Sequence, residues 1–190
     1  MRTIDETKRI RKAAAGDPDA FEALVQQYQA QVYRLCYRMT GNAEDAADLT
    51  QESFLKAWRS LNSFQFNASF STWLYRLASN ACLDFLRAAK RRAVLPLTLG
   101  DDDGEELTLD LPDNQPTPEE AAIRSEEQVR LAEAMAQLEP EHRHILTLRV
   151  VNELSYAEIA EILGIREGTV KSRLSRARDS LRKKFYADGN

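Results

Sequence analysis

The stretch LSYAEIAEILGIREGTVKSRLSRARDSLRKK, residues 154–184, decides the fold of the half of the chain that carries it. Ser155 and Glu158 stand three apart, the spacing of a capping box that satisfies free N–H groups at a helix start. Ile159, Ala160 and Leu163 give the short helix that follows an apolar face. Gly164 permits a tight turn, and Ile165 can plug the corner beneath it. A second helix starts near Glu167, with Val170, Leu174, Ala177 and Leu181 inward at steps of four, three and four. Helix, short glycine turn and helix is the helix-turn-helix plan, whose second helix enters a DNA major groove.

Helical geometry also assigns the outer surface. At about 100° per residue, Gly168, Ser172 and Ser175 point away from the Val170–Leu174 stripe, with Lys171 and Arg176 flanking them. Small central residues let a helix lie deep, while flanking cations reach base edges or phosphates. Arg178, Arg182, Lys183 and Lys184 continue the helix as candidates for sequence-independent phosphate contacts. A basic helical face is more often merely solvated. Here capping box, turn glycine, core stripe and basic face fall in one register, which points to DNA.

Working outward, charge divides the chain. The net charge of -4 conceals a segregation: residues 1–99 hold 14 basic against 10 acidic residues, whereas GDDDGEELTLDLPDNQPTP, residues 100–118, holds seven acidic and no basic ones. From Arg166 to Lys184 there are eight basic against two acidic residues. The acidic stretch contains Pro112, Pro116 and Pro118 and no helical period, so it reads as a flexible acidic linker between two domains. The predicted division is 1–92, a linker over 93–118, and 119–190.

The first domain also reads as helical. Asp17 can cap a helix with Pro18 at its first position. Phe21, Leu24, Val25, Tyr28, Val32, Leu35 and Cys36 then recur as a core-facing stripe, until Gly41-Asn42 breaks it. A second helix runs from about Ala43 to Leu61, and a third from about Ser71 to Ala89, burying Leu74, Leu77, Ala78, Ala81 and Phe85. Residues 62–69 lack a period and read as a loop. No segment shows strand alternation, so the predicted class is all-α, in two small helical domains.

Several functions are disfavoured. Cys36 and Cys82 lie in apolar helical patterns, which fits free thiols in a reducing compartment. His142 and His144 sit on a polar stretch and form no metal-ligand set with them. There is no phosphate-binding glycine loop and no histidine–acid cluster, so no enzyme, metal or cofactor is expected. The N-terminus lacks the apolar core of a signal peptide and no run suits a membrane span, so a cytoplasmic protein is expected.

Residues 33–92, in particular DAADLTQESFLKAW (45–58) and FSTWLYRLASNACLDFLR (70–87), resemble region two of bacterial sigma factors. The stretch 154–184 resembles region four. Two such domains with no third between them is the layout of the extracytoplasmic-function group, with the look of the stress-responsive sigma-W and sigma-E type. The resemblance implies a promoter-directing subunit of RNA polymerase, not itself an enzyme. Its implied partners are core RNA polymerase (through the beta-prime clamp helices and beta flap), promoter DNA and an anti-sigma factor, often membrane-bound. No small-molecule substrate is implied, and the chain is expected to be monomeric when free.

The same resemblance assigns residues. Asp45, Asp48, Gln51, Glu52 and Leu55 form a mixed polar and apolar strip that would dock on the clamp helices; the bland reading is a solvent face. Phe64, Phe66, Phe70, Trp73, Arg76, Asn80, Asp84, Arg87 and Arg91 fall to the minus-ten element, whose strand must open. The three phenylalanines could wall a pocket for an extruded base, with Asn80 reading its edge, or could simply anchor the loop. Trp73 would stand at the exposed helix start. Tyr156, Arg166, Gly168, Thr169, Lys171, Ser172, Arg173, Ser175 and Arg176 fall to the minus-thirty-five element. The acidic linker is either a plain tether or, as in related proteins, a segment passing through the polymerase cleft as a mimic of nucleic acid. A helix-turn-helix regulator with a ligand-sensing bundle is the rival: it would bind duplex DNA unaided, and it leaves the 45–87 pattern without explanation.

Overall fold

The computed structural model describes the backbone of residues 4–93 and 118–187, and the side chains of residues 5–91 and 127–187. Among them are eight α-helices and no strand, in agreement with the all-α expectation. The first bundle comprises α1 (Ile4–Ala14), α2 (Pro18–Thr40), α3 (Ala43–Ser60) and α4 (Phe70–Ala93), with a short 3-10 turn at Leu61–Ser63. The Asp17 carboxylate accepts the Ala20 N–H at 3.1 Å, and Pro18 opens α2 where no N–H is needed. Gly41 ends that helix at φ 75°, and the Asn42 side chain accepts the Glu44 and Asp45 N–H groups at 2.8 and 3.0 Å to start α3.

The long stripe on α2 serves two surfaces. Leu24, Tyr28, Val32, Leu35 and Cys36 are buried, as expected, but Phe21 and Val25 are only half-buried, on the side shared with α3. On α4, Leu74, Ala78 and Ala81 are buried while Leu77 and Phe85 reach partly to solvent. Helix α1 was not foreseen: Ile10 and Ala13 seat it on the core, each 2% exposed. Cys36 and Cys82 are free and fully buried, and a hydrogen bond between the two thiols pulls Cys36 down and pushes Cys82 up from ordinary thiol values.

The second bundle comprises α5 (Pro118–Ala136), α6 (Pro140–Leu146), a π-helical turn at Thr147–Val151, α7 (Tyr156–Leu163) and α8 (Glu167–Ala187). Both halves of the predicted capping box are present: the Ser155 hydroxyl accepts the Glu158 N–H at 3.3 Å, and Glu158 accepts the Ser155 N–H at 2.9 Å. Gly164 lies at φ 64°, the left-handed region where a side chain is strained. Val170, Leu174 and Ala177 are buried, whereas Leu181 is half-buried.

The two bundles pack against each other, with α4 on α6 and α7, and α2 on α6 and the π turn. Three polar side chains also bridge the bundles. His144 was expected on a polar stretch; it is instead 2% exposed, with Nε2 2.7 Å from the Ser79 hydroxyl of α4. Burial holds its imidazole down at about 4, so it sits there neutral. Arg143 crosses the boundary too. Its guanidinium donates to the Met135, Ala136 and Leu138 carbonyls at the end of α5 and, at 2.7 Å, to the Met39 carbonyl at the end of α2. A cation there offsets the partial negative charge of two helix C-termini at once. Asn152 donates to the Gln31 carbonyl at 3.4 Å, yet its own Oδ1 is buried without a partner among the described residues. Apolar packing is continuous beneath these polar contacts: buried residues of both bundles, from Ile10 and Leu74 to Leu148 and Val170, belong to one hydrophobic cluster.

Candidate nucleic-acid interface

Two basic faces and one apolar groove stand out. On α8, Gly168, Lys171, Ser172, Ser175 and Arg176 are exposed on one side, opposite the buried Val170, Leu174 and Ala177. Arg166, at the turn before the helix, is exposed; Thr169 and Arg173 are half-buried at the flanks. The Ser172 hydroxyl donates to the Thr169 carbonyl at 3.0 Å, which leaves its lone pairs outward. A Cβ added at Gly168 would meet nothing within 4 Å, so the fold itself does not demand glycine there.

Tyr156, at the start of α7, binds this face to the π turn. Arg149 lies over its ring at 5.4 Å and Lys171 at 6.0 Å, and Arg149 also donates to the Leu154 carbonyl at 2.8 Å. Sequence reasoning missed Arg149. A basic residue between helices gives no local signal, and only the π turn brings it beside Tyr156.

The α4 face behaves as the helical wheel requires at its far end. Arg76, Asn80, Asp84, Arg87 and Arg91 are all exposed, and Arg87 pairs with Asp84 at 3.3 Å. Its near end departs from expectation. Phe70 is 2% exposed and packs on Tyr28 at 5.4 Å, while Phe64 is 9% exposed between Phe66, Phe70 and Trp73. Neither ring lines an open pocket in this arrangement; both pack on the core, where the anchoring alternative places them. Phe66 alone of the three is half-exposed, held at φ 56°. Trp73 is half-buried on Phe64 and Phe70 rather than standing free.

The groove runs between α2 and α3, with a volume near 780 Å³. Phe21, Val25, Tyr33, Phe54, Leu55 and Trp58 supply its apolar lining, and Gln51 lies on its rim. Leu55, 48% exposed, is a large apolar residue presented to solvent. Of the strip expected to dock on polymerase, Asp48, Gln51, Glu52 and Leu55 are exposed and Asp45 half-buried; Glu52 pairs with Lys56 at 2.6 Å. Gln51 and Leu55, assigned by the resemblance, lie on the groove side of α3, and nothing in the sequence pointed to the α2 wall opposite. Asp101, Asp102, Asp103, Glu105 and Glu106 of the acidic stretch lie outside the described residues. Among the described residues no His, Cys, Asp and Glu cluster could hold a metal, and no helix is long and apolar enough to cross a membrane.

Comparisons with known proteins give the family. Residues 24–92 match the model of sigma-70 region 2, and residues 128–181 that of sigma-70 region 4. The chain is 38% identical to the ECF RNA polymerase sigma factor SigW of Bacillus subtilis, over 94% of this chain and 95% of that one. It is 36% identical to the ECF RNA polymerase sigma-E factor of Haemophilus influenzae, with 93% of each covered. In fold it is similar to CnrH, solved in complex with the cytosolic domain of CnrY, with a TM-score of 0.68 at 24% identity over 95% and 96% of the two chains. Matched in both of its bundles and along nearly its whole length, the chain belongs to the ECF RNA polymerase sigma factors.

Proposed function

We propose that this sigma factor grips core polymerase through the α2–α3 groove, reads the opened minus-ten strand with the α4 face and reads the minus-thirty-five duplex with the α8 face. The observation that carries the reading is the pairing of two unlike basic faces with an apolar groove on one chain. The groove suits an amphipathic helix with an apolar ridge, as the clamp helices of polymerase would present. Exposed Arg76, Asn80 and Arg87 suit base edges and phosphates of a single strand, and the exposed side of α8 suits a major groove.

Domain roles follow: 1–92 for polymerase and minus-ten binding, 93–118 as linker, 119–190 for minus-thirty-five binding. The linker's acidic residues would pass through the basic channel of polymerase; neutralising them should alter abortive and full-length transcript yields, and unchanged yields would count against it. The chain performs no catalysis of its own and works in the cytoplasm on an envelope- or stress-response regulon. An anti-sigma factor would restrain it by covering the exposed apolar groove.

The packed arrangement of the two bundles is a resting state in this reading. By their nominal positions the two elements are about 25 base pairs apart, roughly 85 Å at about 3.4 Å each. A compact chain of this length has a radius of gyration near 16 Å. The two faces can therefore serve one promoter only after the His144–Ser79 and Arg143–Met39 contacts part. A direct test compares DNA binding by the free chain and by the chain with core polymerase. Tight, element-specific binding should need polymerase; equally tight duplex binding by the free chain would favour a self-sufficient regulator instead.

A further inference from the structure

We propose that α1 is a further nucleic-acid contact: its exposed cations Lys8, Arg11 and Lys12, with Arg11 laid on Phe66, hold backbone phosphates of the opened strand beside the minus-ten face. The inference rests on the reading of α4 given above and extends it to a helix that neither region match includes.

The charge arrangement on α1 is the first observation. Its two described acids are both engaged: Asp5 with Arg9 at 3.4 Å, and Glu6 with the Tyr28 hydroxyl. Burial and that carboxylate together push the Tyr28 phenol up, so it stays a donor to Glu6. Lys8, Arg11 and Lys12 have no ion-pair partner among the described residues, and all three are exposed. At about 100° per residue they share one arc of the helix, roughly 100° wide. Ile10 and Ala13 on the other side are anchored in the core, so the cationic arc is fixed in direction.

The second observation is independent. Phe66 is held at φ 56°, a strained conformation that a bulky residue rarely adopts. That conformation keeps the ring half-exposed, 4.8 Å from Phe64 and with the Arg11 guanidinium 5.6 Å from its centroid. Phe64 in turn touches Trp73 at 5.2 Å, at the start of the minus-ten face. Arg11, Phe66, Phe64 and Trp73 thus form one unbroken run from α1 to α4. A guanidinium resting on a ring loses rotamer freedom before a ligand arrives and keeps N–H groups at its edge for phosphate. A merely solvated face accounts for the lysines, but not for the seating of Arg11 on a strained aromatic at the edge of a strand-binding surface.

The test uses the chain assembled with core polymerase and fluorescent single-stranded oligonucleotides that carry or scramble the minus-ten element. Affinity is measured across salt for the parent and for the Lys8→Ala, Arg11→Ala, Lys12→Ala triple variant. Three lost phosphate contacts at about 0.7 each should flatten the salt slope by roughly 2. Affinity at low salt should fall at least tenfold, while preference for the true element over the scrambled one persists. Arg11→Lys, which keeps the charge and loses the flat ring contact, should fall between. An unchanged slope and affinity in the triple variant, with an unchanged unfolding midpoint, would overturn the proposal. Failure of the α4 reading looks different: the parent itself, and not only Asn80→Ala, would fail to prefer the element, while the slope change would still report on α1.

Discussion

The α8 face and the α4 face are built on opposite plans. On α8 the packing residues and the proposed reading residues are separated by the helix itself: Val170, Leu174 and Ala177 are buried, and Gly168, Ser172 and Arg176 stand on the other side. On α4 and the loop before it the two kinds are mixed. Phe64 and Phe70 were candidates for reading and are core; Phe66 and Trp73 are half in each role. The difference teaches where a substitution in this protein can act on recognition alone. On the proposed reading it can on α8 and along the exposed line Arg76, Asn80, Arg87, and it cannot at Phe64 or Phe70, which are buried.

The largest expected effect tests the mixing. Phe70→Ala should lower the free energy of unfolding by about 3–5 kcal/mol, as truncation of a buried aromatic does. Chemical denaturation measures it. An unaltered midpoint together with lost strand binding would return Phe70 to the reading face and break the contrast.

Next comes the joint between the two plans. His144 has a pKa near 4 when buried against Ser79, while in the separated state it returns to its ordinary value near 6.5. The separated state then binds more protons, so the stabilising effect of neutral His144 is fully present above about pH 6.5 and declines as pH falls toward 4. That amounts to about 2 kcal/mol lost by pH 5. Small-angle scattering should show the chain expanding between pH 7 and pH 5, and His144→Asn should remove most of that dependence. An equal expansion in both would place the acid response elsewhere.

Smaller effects sharpen the α8 side. Arg176→Ala should weaken minus-thirty-five binding by about 1–3 kcal/mol and relax the sequence preference there, with no change in the unfolding midpoint. Titration of promoter variants with the polymerase complex reads both quantities. Gly168→Ala is the subtlest and the most diagnostic, because its two effects have opposite sign. The fold has room for the methyl group, so the helix should gain up to about 1 kcal/mol in stability. The same methyl stands where α8 would approach the groove most closely, so duplex affinity should fall. A gain in stability with unaltered affinity would move the close approach to another part of the helix.

How much of this was legible in the sequence follows the same contrast. The capping box at Ser155 and Glu158, the left-handed Gly164 and the α8 stripe are local, repeat at helical steps and were read correctly. The Asp17–Pro18 start and the Gly41 stop of α2 were legible for the same reason. Residues 62–70 were not, because no period says which of three phenylalanines turns inward. Helix α1 escaped notice because only Ile10 and Ala13 mark its buried side amid charges. His144 read as part of a polar stretch and Arg143 drew no reading at all, since their partners Ser79 and Met39 lie 65 and 104 positions away in the chain. Local chemistry foretold α2, α3, α4, α7 and α8; the joint between bundles, and the α2 wall of the groove, arise only when distant helices meet.

The central claim is that this one chain supplies promoter recognition to polymerase. The measurement that meets it most directly adds the purified protein to core polymerase and scores run-off transcripts from a genomic promoter library. The account predicts transcripts from a defined set of promoters that vanish without the protein and fall sharply with Asn80→Ala or Arg176→Ala. Transcripts no different from those of core polymerase alone, across several polymerases, would contradict it.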